Sequence, residues 1–95
     1  MSKLNIDQIN AFQKQLPAWK LAEDAIEKSF VFKNHSEACG FLLRVAMIAE
    51  RVNHHPNWSG VYKHVTLCLS THDLGGVSQK DIDFALEVEK ILKST

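Results

Sequence analysis

The spacing of apolar residues divides the chain into segments whose period switches between 3.6 and 2. Ile6, Ile9, Phe12 and Leu16 recur at helical spacing. Asn5 stands where its side chain would cap the free amides, with Gln8 placed to reach back and Leu4 to pack on Ile9. Pro17 is expected to end this first helix. From Ala18 the period shortens. Trp19 and Leu21 alternate with polar neighbours, Ala22-Glu23-Asp24 forms a turn, and Ile26, Phe30 and Phe32 share one parity between Ala25 and Phe32. The pattern predicts a β-hairpin, and Lys28 on the apolar parity suggests an edge position.

Asn34 and Glu37 make a second capping pair, opening the longest helix, which should run to about Val52. Ala38, Phe41, Leu42, Val45, Ala49 and Val52 form its broad stripe, but Leu43, Ala46, Met47 and Ile48 make the remaining circumference apolar as well. Only Glu37, Arg44 and Arg51 leave a thin polar line. So small a chain has too little protein to cover such a helix, which predicts that it meets its own counterpart in an oligomer. Beyond it, Val61, Val65, Leu67 and Leu69 alternate with Tyr62, Thr66, Cys68 and Ser70, a strand-forming run with a break expected near Lys63. Leu74-Gly75-Gly76-Val77 reads as a loop. Ser78 with Asp81 caps a last helix that carries Ile82, Ala85, Val88 and Leu92 inward. The expected fold is α+β in two layers, an antiparallel four-stranded sheet with helices on one face, in the order α-β-β-α-β-β-α.

Composition narrows the function. Ninety-five residues with 45% hydrophobic content predict one domain over residues 1–95. Eleven basic and eleven acidic residues cancel, without the positive patch that a nucleic-acid backbone requires, so no direct nucleic-acid partner is expected. Met1-Ser2-Lys3-Leu4 lacks an apolar stretch of signal-peptide length, and nowhere do 18 apolar residues run together. No membrane association and a cytoplasmic location are the expectation. Cys39 and Cys68, in apolar stretches without metal-type spacing, read as small buried side chains in a reducing compartment.

The chemistry concentrates in Asn53-His54-His55-Pro56-Asn57-Trp58 and Ser70-Thr71-His72-Asp73. Neighbours on a helix point about 100° apart, but Pro56 drives His55 out of the α region and should end the helix, freeing the two rings. Trp58 offers an apolar wall, Asp73 an acceptor for His72 or a neighbour, and Glu50 an acceptor for His54 one helical turn away. Imidazoles give or take protons near neutral pH, so two or three around one substrate suit a general acid-base elimination needing neither metal nor covalent intermediate. Two alternatives stay open. Three histidines beside a carboxylate also admit zinc, although their adjacent spacing is awkward for one ion, and histidines also cap helix ends. His35 and His64 are given no function.

These two segments, with Ala49-Glu50-Arg51-Val52 before them, Val61-Tyr62 between them and Leu74-Gly75-Gly76-Val77-Ser78 and Asp81 after them, closely resemble the pterin-4a-carbinolamine dehydratases. Leu16-Pro17-Ala18-Trp19 and Phe30-Val31-Phe32 extend the likeness over nearly the whole chain. The resemblance implies an α+β fold and self-association through the long central helix as a homodimer or homotetramer. It implies dehydration of 4a-hydroxytetrahydropterin to quinonoid dihydropterin, which recycles the cofactor of aromatic amino-acid hydroxylases. The pterin would be the substrate and no cofactor is expected. By the same resemblance His54, His55 and His72 would be catalytic, and Asn53, Ser70, Thr71 and Asp73 would line the pterin, partly through backbone groups. Because His55 is constrained by Pro56, His54 and His72 are expected to exchange the protons while His55 positions the ring. Some animal members of that family also act as dimerisation cofactors of a homeodomain transcription factor, which makes a protein-binding module the non-enzymatic alternative.

Overall fold

The structure, a computed structural model, describes residues 2–93; Met1, part of the N-terminal stretch considered above, lies outside them. Along the chain run α1 (Ile6–Gln13), β1 (Lys20–Ala22), β2 (Ala25–Val31), α2 (His35–Val52), β3 (Asn57–Val61), β4 (His64–Leu69), a single 3-10 turn at His72–Leu74, and α3 (Gln79–Lys93). This is the expected α-β-β-α-β-β-α order. The four strands form one antiparallel sheet in the spatial order β1-β2-β4-β3.

Local chemistry explains most of the boundaries. At α1 the Asn5 side chain accepts the Gln8 amide while the Gln8 side chain accepts the Asn5 amide, both at 2.9 Å. The helix closes at Gln13, before Pro17 is reached. The amides of Gln15 and Leu16 turn back to Phe12 and Gln13, and the Gln13 side chain donates to the Trp19 carbonyl at 2.8 Å. The β1–β2 hairpin turns at Glu23, whose φ of 56° lies in the left-handed region. At α2 the Asn34 side chain accepts the Glu37 amide at 2.9 Å, without a return bond from Glu37.

Lys28 has a strand neighbour on one side only, since β1 stops pairing at Glu27, so the expected edge position holds locally although β2 as a whole lies inside the sheet. Its pairing with β4 runs from Ile26 to Val31. The lysine is tolerated there because its aliphatic stem stays within the apolar layer and its ammonium reaches the Glu89 carboxylate on α3 at 2.8 Å, 4.9 Å above the Phe30 ring. Trp19 Nε1–H donates to the same Glu89 oxygen at 3.1 Å.

The helices cover one face of the sheet. Ile26 and Phe30 of β2 and Val65, Leu67 and Leu69 of β4 pack against Ala38, Phe41, Val45, Ile48 and Ala49 of α2 and Ile82, Phe84, Ala85 and Val88 of α3. Each buried Phe or Leu in this layer contributes about 1.5–3 kcal/mol. Trp58 shares the parity of its partner Leu67 and so points to the helical side, yet it is 58% exposed because no helix covers the β3 edge. On α2 the outward residues Leu43 and Met47 are each 65% exposed. The expectation that both cysteines are buried fails for Cys39. It sits on the outer side of α2, exposed, with its thiol against the His35 ring, whereas Cys68 is half-buried in β4. Among the described residues no helix is long and apolar enough to cross a membrane.

Candidate active site

The end of α2 determines how His54 and His55 are presented. The helix stops at Val52, not at Pro56, because Asn53 adopts the left-handed conformation (φ 52°, ψ 48°) and its amide closes on the Ala49 carbonyl. Asparagine enters this region at less cost than most side chains. The His54 amide also reaches Ala49, at 3.2 Å. One residue in the left-handed region therefore takes both histidines off the helix before Pro56 acts on His55.

His54 turns inward. Its Nε2 lies 2.6 Å from Oδ1 of Asp81 on α3, and its side chain retains 13% of its surface while Asp81 retains none. The second carboxylate oxygen accepts the Thr71 hydroxyl at 2.8 Å and the Ser78 amide at 2.9 Å. Thr71 and Ser78 also share a hydroxyl–hydroxyl bond. Every side-chain polar atom buried among the described residues has a partner, so this inward cluster is fully satisfied. The Phe84 ring meets His54 edge-on, with centroids 6.3 Å apart.

The backbone that leads into His72 is anchored by the same cluster from the other side, through Thr71. The Thr71 amide bonds to the Gly76 carbonyl at 2.8 Å, folding residues 71–76 back on themselves, and Gly75 supplies the positive φ of 67° that the return needs. His72 begins the 3-10 turn on the outside of this loop, exposed, directly after the buried Thr71. Asp73 is exposed as well. Neither of these two side chains hydrogen-bonds a described residue, so Asp73 does not hold the His72 ring as expected.

The support expected from Glu50 goes to the other histidine. Glu50 Oε1 lies 3.2 Å from His55 Nε2, an exposed pair with 83% and 58% of the two side chains accessible. Turning His54 toward Asp81 removes it from Glu50, and the left-handed residue swings His55 into reach instead. Trp58 walls His55 rather than His54. Together with Pro56, Leu42, Leu43, Ala46 and Ala49, these two line a groove of about 470 Å³ between α2 and β3. His54 lines a different cavity of about 400 Å³, between the end of α2 and α3, with Val52, Lys80, Asp83, Phe84 and Glu87. Within one chain the two adjacent histidines thus face separate spaces. Asn53 is exposed at the α2 end and Ser70 half-buried at the end of β4.

Asp81 is the residue whose part in the site went unread. In sequence it pairs with Ser78 as an ordinary helix cap, and it does accept the Ser78 amide. That the same carboxylate also binds His54 depends on packing α3 across the end of α2, which no local pattern reveals. Among the described residues no group of three or more His, Cys, Asp or Glu side chains is placed to hold a metal ion, so the zinc alternative draws no support from the geometry.

A two-layer α+β fold with a histidine-histidine-proline turn and a buried aspartate binding the first of those histidines defines the class. Residues 2–91 match the family described as Pterin 4 alpha carbinolamine dehydratase, and the chain belongs to that family. It is 46% identical over 93 residues to a protein of Rhodopseudomonas palustris (strain BisB18) named "Putative pterin-4-alpha-carbinolamine dehydratase", covering 96% of this chain and 92% of that one. A solved structure titled as a transcriptional coactivator/pterin dehydratase from Brucella melitensis is 35% identical. It superposes with a TM-score of 0.92 over 95% of this chain and 98% of its own. A pterin dehydratase-like protein described as a RuBisCO assembly factor in the alpha-carboxysome shares the fold alone, at 22% identity and a TM-score of 0.63 over 76% of this chain and 83% of its own.

Proposed function

We propose that the protein dehydrates 4a-hydroxytetrahydropterin to quinonoid dihydropterin by histidine general acid-base catalysis. The observation that carries this reading is the buried Asp81, which binds His54 from one element and Thr71, the neighbour of His72, from another. The His54 imidazole is thereby held directly, and the backbone that carries His72 is anchored to the same support through Thr71. In the reaction a base removes the proton on N5, the C4a–O bond breaks as an acid protonates the hydroxyl, and the N5 electron pair closes the N5=C4a double bond as water departs. His54 and His72 serve these two transfers, and His55, backed by Glu50, orients the ring. Each such group is worth about 100 to 10,000-fold in rate. The pterin itself is the substrate, and the product returns to the hydroxylases that use reduced pterins.

The reading includes a homo-oligomer formed through α2. Leu43 and Met47, both 65% exposed, give that helix an apolar outer face beside the Trp58 groove. The same face supports a second reading, a protein-binding module, and the Brucella melitensis relative is described as both a transcriptional coactivator and a pterin dehydratase.

The test is the decay of 4a-hydroxypterin absorbance with wild type and with His54→Ala, His55→Ala and His72→Ala. Acceleration by wild type, lost most severely in the first and third variants, is expected. A wild type that leaves the decay unchanged removes the enzymatic reading in favour of the binding module. If His55→Ala loses more kcat than the other two, the division of roles is wrong.

A further inference from the structure

We propose that Thr71 and Ser78 are positioning residues that keep Asp81 a pure acceptor, so that His54 meets the substrate with its proton on Nε2 and its Nδ1 lone pair free to act as the base. The inference rests on the dehydratase reading above and goes beyond it in assigning a tautomer and two further residues.

Counting donors leads to the assignment. Oδ2 of Asp81 accepts the Thr71 hydroxyl at 2.8 Å and the Ser78 amide at 2.9 Å, and Oδ1 faces His54 Nε2 at 2.6 Å. Thr71 has one hydroxyl proton, which goes to Asp81. In its bond with Ser78 it must therefore accept, and the Ser78 hydroxyl donates. The Lys80 amide in turn donates to Ser78 Oγ at 3.3 Å. The donors run in one direction, from Lys80 through Ser78 and Thr71 to a carboxylate that is 0% exposed. An ionised carboxylate has only acceptor sites, so the ring nitrogen facing it carries a proton. A neutral imidazole has one such nitrogen, and for His54 it is Nε2.

Two consequences follow for the reaction. His54 Nδ1 takes the N5 proton, and the imidazolium so formed stays beside the Asp81 charge. The proton for the departing hydroxyl comes from a different ring, which leaves His72 as the acid. Thr71 also changes role. The residue is 8% exposed, its hydroxyl is engaged inward and its amide is spent on Gly76, so only its carbonyl, which also accepts the Leu74 amide, is left to face a pterin.

The experiment is nitrogen-15 NMR of histidine-labelled full-length protein, with the His54 signals assigned by their loss in His54→Gln, alongside kinetics of Thr71→Val, Thr71→Ser and Ser78→Ala. The wild type should show His54 as the Nε2–H tautomer. Thr71→Val should add an Nδ1–H population and lower kcat about tenfold, a fraction of what a general base supplies, with KM within about twofold. Thr71→Ser should restore both. Ser78→Ala should move both in the same direction by less, which keeps the test available if Thr71→Val does not fold. An Nδ1–H tautomer in the wild type overturns the proposal, as does a Thr71→Val that raises KM while holding kcat, the mark of a substrate contact. If the wild type dehydrates no pterin, the functional reading falls while the tautomer still decides this one.

Discussion

Oδ1 of Asp81 stands 2.6 Å from His54 Nε2, joining the start of α3 to the turn that follows α2. The carboxylate is wholly buried and the imidazole nearly so. Taking a carboxylate out of water costs several kcal/mol unless its oxygens are fully engaged, and three donors meet that need here. The group that orients the histidine is therefore also a joint of the fold, and damage to it should appear in stability and in rate together.

Asp81→Asn tests that coupling. The amide keeps the shape of the carboxylate but turns one acceptor into a donor, which must then face the His54 Nε2–H or the Thr71 and Ser78 donors. A loss of about 2 kcal/mol is expected from the broken buried bonds, lowering Tm by about 8–16 °C in a chain of this size. kcat should fall about 100-fold at temperatures where the variant remains folded. Thermal unfolding followed by circular dichroism, with rates on the same sample, measures both. A variant that keeps its Tm would show that Asp81 is no joint.

Glu50→Gln should behave differently. Glu50 and His55 are a solvent-exposed pair, and such pairs are worth about 0–1 kcal/mol. Tm is expected to move by no more than a few degrees, and kcat by less than about threefold. A rate loss approaching that of Asp81→Asn would mean that Glu50 serves His54 during turnover.

The cysteines separate by exposure. Burial, and after it the Glu27 carboxylate, raises the Cys68 thiol above its ordinary value of 9.0. Iodoacetamide on the folded Leu43→Lys, Met47→Lys variant, whose α2 face is left open, should therefore modify the exposed Cys39 first, with Cys68 about tenfold slower until denaturant is added. Peptide mass mapping over time reads the order. Because the folded state favours the neutral thiol, the stability linked to Cys68 is present below its unfolded value. That stability is lost as pH rises through the raised folded one.

What could be read from sequence was whatever depends on near neighbours. The Asn5–Gln8 box, the break at Lys63 and the order of elements all follow from local period and capping, and the structure has them. The readings that failed concern partners distant along the chain. The edge position of Lys28 was legible, but its counter-ion, Glu89, was not, because it comes from α3. Glu50 was matched to His54 by helical spacing, but the left-handed Asn53 ends that spacing one residue too soon. The histidines themselves stood out through composition and the proline beside them. The aspartate that orders one of them did not, since a capping residue and a buried ligand of imidazole are spelled alike.

Self-association through α2 supplies the last prediction. Leu43 and Met47 lie one turn apart on the outer face, so their side chains form a continuous apolar ridge. A twofold interface brings the same patch of each copy together, and a lysine at either position would then face like charge across a closed contact. Wild type should sediment as an assembly at micromolar concentration, and Leu43→Lys with Met47→Lys should sediment near the 10.8 kDa of one chain. Tm should rise with protein concentration in wild type and lose that dependence in the double variant. A wild type that sediments as a monomer at micromolar concentration sinks the prediction. Kinetics of the double variant then separate the two halves of the site. The Asp81 cluster is built within one chain, whereas the groove holding His55 and Trp58 opens beside the ridge. A monomer that keeps kcat but raises KM would place the second copy at the substrate-positioning side, next to His55.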